Sequence, residues 1–128
     1  MTEYATRHRE IGAVMTPDVI RARPWDTYRD VARLLRENGI SGVPVVDDDG
    51  RVLGVISETD LAGAPAGRAD RLMTSPAVLA HAEDTVADVA RVMAVRRIER
   101  LPVVDDEDRL IGIVTRSDLL QGAARSGV

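Results

Sequence analysis

Laid over itself with a shift of 58 residues, the 128-residue chain matches without a gap. Met15-Thr16 falls on Met73-Thr74, and "DTYRDVARLL" from Asp26 falls on "DTVADVARVM" from Asp84. "GVPVVDD" from Gly42 falls on "RLPVVDD" from Arg100, and "RVLGVISETDL" from Arg51 falls on "RLIGIVTRSDL" from Arg109. A single internal duplication points to a pseudo-symmetric pair, whereas a solenoid needs three or more copies. Each copy is about 50 residues, a size at which one hydrophobic core is marginal. Packing one copy on the other covers the apolar face that each sheet leaves open.

Both copies predict the same elements. A short extended piece comes first, at 19–22 and 78–82. Thr27 and Asp30, and again Thr85 and Asp88, stand at capping-box spacing. Apolar residues follow at helical intervals: Val31, Leu34 and Leu35, then Val89, Val92 and Met93. Gly39 is a C-terminal stop in the first copy, and Arg96 and Arg97 complement the helix dipole at that place in the second. Two β-branched runs then flank an acidic turn, which reads as a β-hairpin. The second run is apolar almost throughout and predicts a strand covered on both faces. A last helix starts at Ser57 or Thr115. The expected fold is mixed α/β (α+β): two β-α-β-β-α units packed sheet to sheet with pseudo-two-fold symmetry. The first two strands of each unit run parallel across a helical crossover. The expected boundaries are 10–63 and 72–124, with a linker at 64–71 and tails at 1–9 and 125–128.

Composition removes several functions. The chain has no Cys and no Phe, so thiolate chemistry is absent and the core is built from aliphatic side chains. The start "MTEYATRHRE" has no apolar stretch, and no run nears the roughly 20 residues that span a bilayer. These features predict a cytoplasmic protein without a membrane partner. A net charge of -4 without a basic, aromatic-studded stripe argues against nucleic acid. "DDDG" at 47–50 and "DDED" at 105–108 read as turn acids, not a cation site. His8 and His81 have no ligand spacing, so no metal site is expected. No nucleophile–base pattern, P-loop or G-x-G-x-x-G phrase is present, and no catalytic residues are expected.

The phrase that carries chemistry is the hydroxyl-x-x-Asp that ends each copy: Ser57 to Asp60, and Thr115 to Asp118. It fits a capping box. It also fits a polar ligand, because a carboxylate can accept both hydroxyls of a cis-diol, at about 1.5–3 kcal/mol per charge-assisted bond. The two readings are compatible.

Together, "MT", "DT..DVA", "I..VPVVDDDGR..GVIS..DL" and their second copies resemble the CBS domain, here in tandem as a CBS pair or Bateman module, over about residues 14–121. The resemblance implies a regulatory module that binds an adenosine-containing nucleotide, of the AMP, ADP, ATP or S-adenosylmethionine class, in clefts between the two copies. It implies a homodimer, an effector protein that reads the bound state, and no required cofactor beyond that regulatory ligand. In length the chain resembles CBS pairs that stand alone.

Residue by residue, the resemblance implies that Asp60 and Asp118 accept ribose hydroxyls. From the residues themselves, an exposed helix start is an anion site, and its N–H groups with the hydroxyls of Ser57, Thr59, Thr115 and Ser117 can face a phosphate. Arg100 matches a basic position that contacts phosphate, where the first copy has Gly42, so the two clefts are unequal. Adenine recognition falls to backbone groups and apolar walls at Thr16, Ile40, Ser41, Val43 and Pro44, then Thr74, Ile98, Leu101 and Pro102. The leading expectation is a non-catalytic sensor. The alternative is a ligand-free CBS-pair scaffold, or a stress-response interaction protein, acting as a dimer.

Overall fold

The structure is a computed structural model and describes residues 9–64 and 66–126. Residues 1–8 and 127–128 of the expected tails, His8 among them, and Pro65 of the expected linker lie outside the described residues. The helices are α1 (Tyr28–Asn38), α2 (Glu58–Ala62), α3 (Ala69–Leu72), α4 (Val86–Arg96) and α5 (Arg116–Ser126). The strands are β1 (Gly42–Val46), β2 (Val52–Ser57), β3 (Ala80–His81), β4 (Arg100–Val104) and β5 (Leu110–Thr115). A 3-10 turn covers Ile11–Ala13.

Packing divides the chain into two compact units that do not coincide with the two repeats. One unit holds Ile20–Ala77 together with Asp108–Leu110; the other holds the segment ending at Val19, then Val78–Glu107 and the chain from Ile111. Each unit therefore takes its Met-Thr segment from the other repeat.

In the first unit, α1 begins at a complete capping box. Asp30 N–H donates to Thr27 Oγ1 at 3.1 Å, and Thr27 N–H donates to Asp30 Oδ2 at 3.0 Å. The Thr27 N–H bond to the carboxylate, then the Thr27 side chain, with Arg33 nearby, hold the Asp30 carboxyl below the usual carboxylate range. The helix ends at Gly39, whose φ of 61° is left-handed and favours glycine. β1 and β2 pair antiparallel, with a register shift between Val45 and Val46. The expected first strand is here a single parallel bridge, Ala22 to Val45. At the hairpin tip, Asp47 Oδ1 accepts from the N–H groups of Asp49 and Arg51, so this acid serves the turn.

The doubly covered strand is β1, which is buried at all five residues, and not β2, where buried and half-buried positions alternate toward its end. Apolar content alone does not report which faces meet a neighbour. Val31, Leu35, Val43, Val45, Ile56 and Leu61 form this unit's core.

The second unit repeats the plan. β3 pairs parallel with β4 through Ala80–Val103 and His81–Val104, and β5 lies on the other side of β4. Val89, Met93, Leu101, Val103, Val114 and Leu119 form its core. The cap of α4 is only half of the expected box. Thr85 accepts from Asp88 N–H at 3.1 Å, but the Asp88 carboxylate lies toward Arg91 at 3.6 Å. Arg97 closes the helix in a left-handed conformation (φ 56°) where the first unit has Gly39.

The Met-Thr segments dock by the same bonds in both units. Ile11 N–H donates to Asp84 O and Thr16 pairs with Ile113; Ala69 N–H donates to Asp26 O and Thr74 pairs with Val55. Close approach is possible because β2 and β5 carry glycine at the crossing. A Cβ at Gly54 would lie 2.7 Å from the Thr74 carbonyl oxygen, and one at Gly112 would lie 3.2 Å from that of Thr16.

Candidate functional corners in each unit

Each unit holds one half of the expected site residues, and its hydroxyl-x-x-Asp phrase sits at the corner where the hairpin meets the last helix. In the first unit these are Ile40, Ser41, Val43, Pro44, Ser57, Thr59, Asp60 and Thr74. In the second they are Thr16, Ile98, Arg100, Leu101, Pro102, Thr115, Ser117 and Asp118. Thr16 and Thr74 thus join the unit of the repeat to which they do not belong in sequence, and Thr74 reaches the corner through its bond to Asp60.

The corner is fixed by backbone bonds. In the first unit Gly42 faces Ser57 across the hairpin, and Glu58 N–H donates to Ser41 O at 2.9 Å. In the second, Arg116 N–H donates to Glu99 O at 2.8 Å. The last helix of each repeat begins immediately after its strand, so the hydroxyl and the Asp meet over one turn. Asp60 N–H donates to Ser57 Oγ at 3.2 Å, and Ser57 N–H donates to Asp60 Oδ2 at 2.9 Å. Asp118 N–H donates to Thr115 Oγ1 at 3.1 Å, and Thr115 N–H donates to Asp118 Oδ2 at 2.9 Å. Both phrases are reciprocal caps.

Capping occupies one carboxylate oxygen and fixes the other in a half-buried corner. The two Asp residues then differ. The Thr74 hydroxyl donates to Asp60 Oδ1 at 3.3 Å. Among the described residues Asp118 Oδ1 receives no such hydroxyl.

The apolar members behave as core. Val43, Pro44, Leu101 and Pro102 have fully covered side chains, so what they offer at the corner is backbone. Ile40 and Ile98 are half-buried. Among the described residues, no group of three His, Cys, Asp or Glu side chains could hold a metal ion. No helix there is long and apolar enough to cross a membrane.

A groove of about 450 Å³ opens between α4 and α5 of the second unit, floored by Met93, Ala94, Ile98 and Leu119 and edged by Arg97 and Arg116. Of the expected site residues only Ile98 lines it. Val95 (74% exposed) and Leu120 (63% exposed) are large apolar side chains on the same two helices. A signal for this face exists in the sequence. Ala94, Val95 and Leu120 stand where the first repeat has Arg36, Glu37 and Ala62.

Comparison with known proteins fits this geometry. The CBS domain family model matches residues 11–67 and 69–125. The inosine-5'-monophosphate dehydrogenase of Methanocaldococcus jannaschii is 36% identical over 110 residues, which cover 84% of this chain but only 22% of the enzyme. The chain thus spans about a fifth of that relative's length. The crystal structure of CBSX2, from Arabidopsis thaliana, in complex with AMP superposes with a TM-score of 0.88 at 28% identity, covering 93% of this chain and 98% of that one. The CBS domain pair of protein MJ0100, in complex with 5'-methylthioadenosine and S-adenosyl-L-methionine, gives a TM-score of 0.81 at 29% identity, covering 88% and 93%. The duplicated corner and these matches lead to one conclusion: the chain belongs to the CBS domain family and carries two CBS domains in tandem.

Proposed function

We propose that this CBS pair is a non-catalytic regulatory module that binds an adenosine-containing nucleotide, with Asp60 and Asp118 as the sugar-binding carboxylates. The observation that carries the reading is the capped Asp. In both units its own backbone orients the carboxylate, so a ligand hydroxyl meets an acceptor whose ordering cost is already met. The hydroxyls of Thr115 and Ser117, with Arg100, supply donors for a phosphate on the same ligand, and Ser57 and Thr59 offer hydroxyls at the equivalent places of the first unit. The AMP and S-adenosyl-L-methionine complexes of related CBS pairs support the ligand class. Each binding unit is the body of one repeat completed by the Met-Thr segment of the other, the protein is cytoplasmic, and an effector protein reads the occupied state through a shift in the population of conformations.

Thermal unfolding with AMP, ATP and S-adenosylmethionine tests this. A ligand at 100 times its dissociation constant adds about 2.7 kcal/mol of stability. A melting temperature that stays flat across the whole panel rejects the reading. Asp118→Ala weakens binding by about tenfold or more. Full affinity retained in both Asp118→Ala and Asp60→Ala assigns both residues to capping alone.

A second reading, a ligand-free dimeric scaffold, is favoured by the groove between α4 and α5 with Val95 and Leu120 exposed beside it. Its rim carries both signs, Arg97 and Arg116 with Glu99, which suits a two-fold contact between copies. Under this reading Leu120→Arg converts a dimer to a monomer in light scattering, and no adenosine ligand shifts the melting temperature.

A further inference from the structure

We infer that the two corners take different ligands: the one around Asp118 takes a phosphate-bearing adenosine nucleotide, and the one around Asp60 takes an adenosine ligand without phosphate. This rests on the reading above and assigns a ligand class to each corner.

The duplication supplies its own control. Both corners have the same reciprocal cap and the same bond from helix start to strand start, Glu58 N–H to Ser41 O and Arg116 N–H to Glu99 O. Side chains that differ on this shared frame are therefore not required by the fold. They differ in charge. Over 40–44 and 57–60 the first corner carries two carboxylates, Glu58 and Asp60, and no cation. Over 98–102 and 115–118 the second also carries two, Glu99 and Asp118, but with two arginines, Arg100 and Arg116. Glu99 lies 3.8 Å from Arg116, with both side chains more than two-thirds exposed, a pair that water and salt screen strongly. Among those residues of the first corner a phosphate dianion meets two carboxylates and no cation to offset them. At the second it meets guanidinium groups that match its oxygens. A ligand whose tail is neutral, or cationic as in a sulfonium, suits the first corner.

The carboxylates differ in the same sense. Asp60 accepts from Ser57 N–H on Oδ2 and from the Thr74 hydroxyl on Oδ1. A ribose hydroxyl arriving there competes with Thr74. Asp118 accepts from Thr115 N–H on Oδ2, and among the described residues no hydroxyl donates to its Oδ1. Among the described residues, a sugar reaching that second oxygen displaces no hydroxyl.

Titration calorimetry on the full chain separates the sites, using AMP and 5'-methylthioadenosine as probes. Asp118→Asn is expected to weaken AMP by about tenfold or more while 5'-methylthioadenosine still binds. Asp60→Asn is expected to reverse the pattern and weaken 5'-methylthioadenosine more than AMP. Arg100→Gln and Arg116→Gln are expected to weaken AMP selectively, with an affinity that falls as salt rises in the parent protein. Melting temperatures within a few degrees of the parent certify that each variant is folded, and the two arginine variants stand in if Asp118→Asn is not. AMP lost mainly through Asp60→Asn, or equally through both variants, overturns the inference and leaves the nucleotide-binding reading intact. Absence of heat with both probes and with ATP overturns both.

Discussion

The two units are built from one repeated sequence and differ where the fold is indifferent. Their cores match position by position: Val31 with Val89, Leu35 with Met93, Leu61 with Leu119. Their surfaces do not. The outer face of α1 carries Arg36 and Glu37 where α4 carries Ala94 and Val95, and the corners exchange Gly42 and Glu58 for Arg100 and Arg116. The duplicated fold acts as a fixed background against which surface chemistry has separated. The shared cap is part of that background, and the charge difference between corners is not imposed by it.

The comparison is broken most severely in the core. Leu101→Ala removes a side chain that is 1% exposed and is expected to cost about 2–5 kcal/mol in urea unfolding. Val43→Ala at the equivalent place removes less volume and costs less. Equal losses would mean that the two cores relax differently. The crossings come next. Gly54→Ala sets a Cβ 2.7 Å from a backbone oxygen, which cannot yield as a side chain does. It is expected to cost about 1–3 kcal/mol. Gly112→Ala meets mainly the flexible Met15 sulfur, at 2.5 Å, and costs less.

Smaller effects separate the helix ends. Gly39 and Arg97 share a left-handed φ, so Gly39→Ala destabilises by about 1–2 kcal/mol and Arg97→Gly stabilises by less, because glycine loosens the unfolded chain. The smallest effect distinguishes the two caps by pH. The lowered pKa of Asp30 means that its bonds to Thr27 contribute stability above the ordinary carboxylate pKa. That contribution is lost as pH falls through the folded value. Asp30→Asn therefore flattens the acid limb of the stability curve, and Asp88→Asn, whose carboxylate does not accept the Thr85 N–H, alters the cap less.

Much of this was legible locally. The boxes at Thr27, Ser57 and Thr115 were readable because a cap closes over three residues and leaves its mark at that spacing. The hairpins were readable from β-branched runs around an acidic turn. The half-made box at Thr85 was not, because Thr85, Asp88 and Arg91 stand at the same spacing as Thr27, Asp30 and Arg33, whose box closes. The groove between α4 and α5 was not, because its signal lies in a difference between repeats rather than in a motif.

By itself the sequence determined the duplication, the order of elements within each repeat and the residues that cap them, all consequences of short-range spacing. Only the tertiary structure decided which repeat each Met-Thr segment completes. Thr16 and Thr74 are alike, and so are the strands they pair with, so composition cannot choose between partners. The chain from α2 to α3 is short, so Thr74 falls beside β2, the strand it has just left, while Thr16 pairs with β5. Sequence separation enters a fold through the cost of closing a loop, and that cost has no signature in any local window.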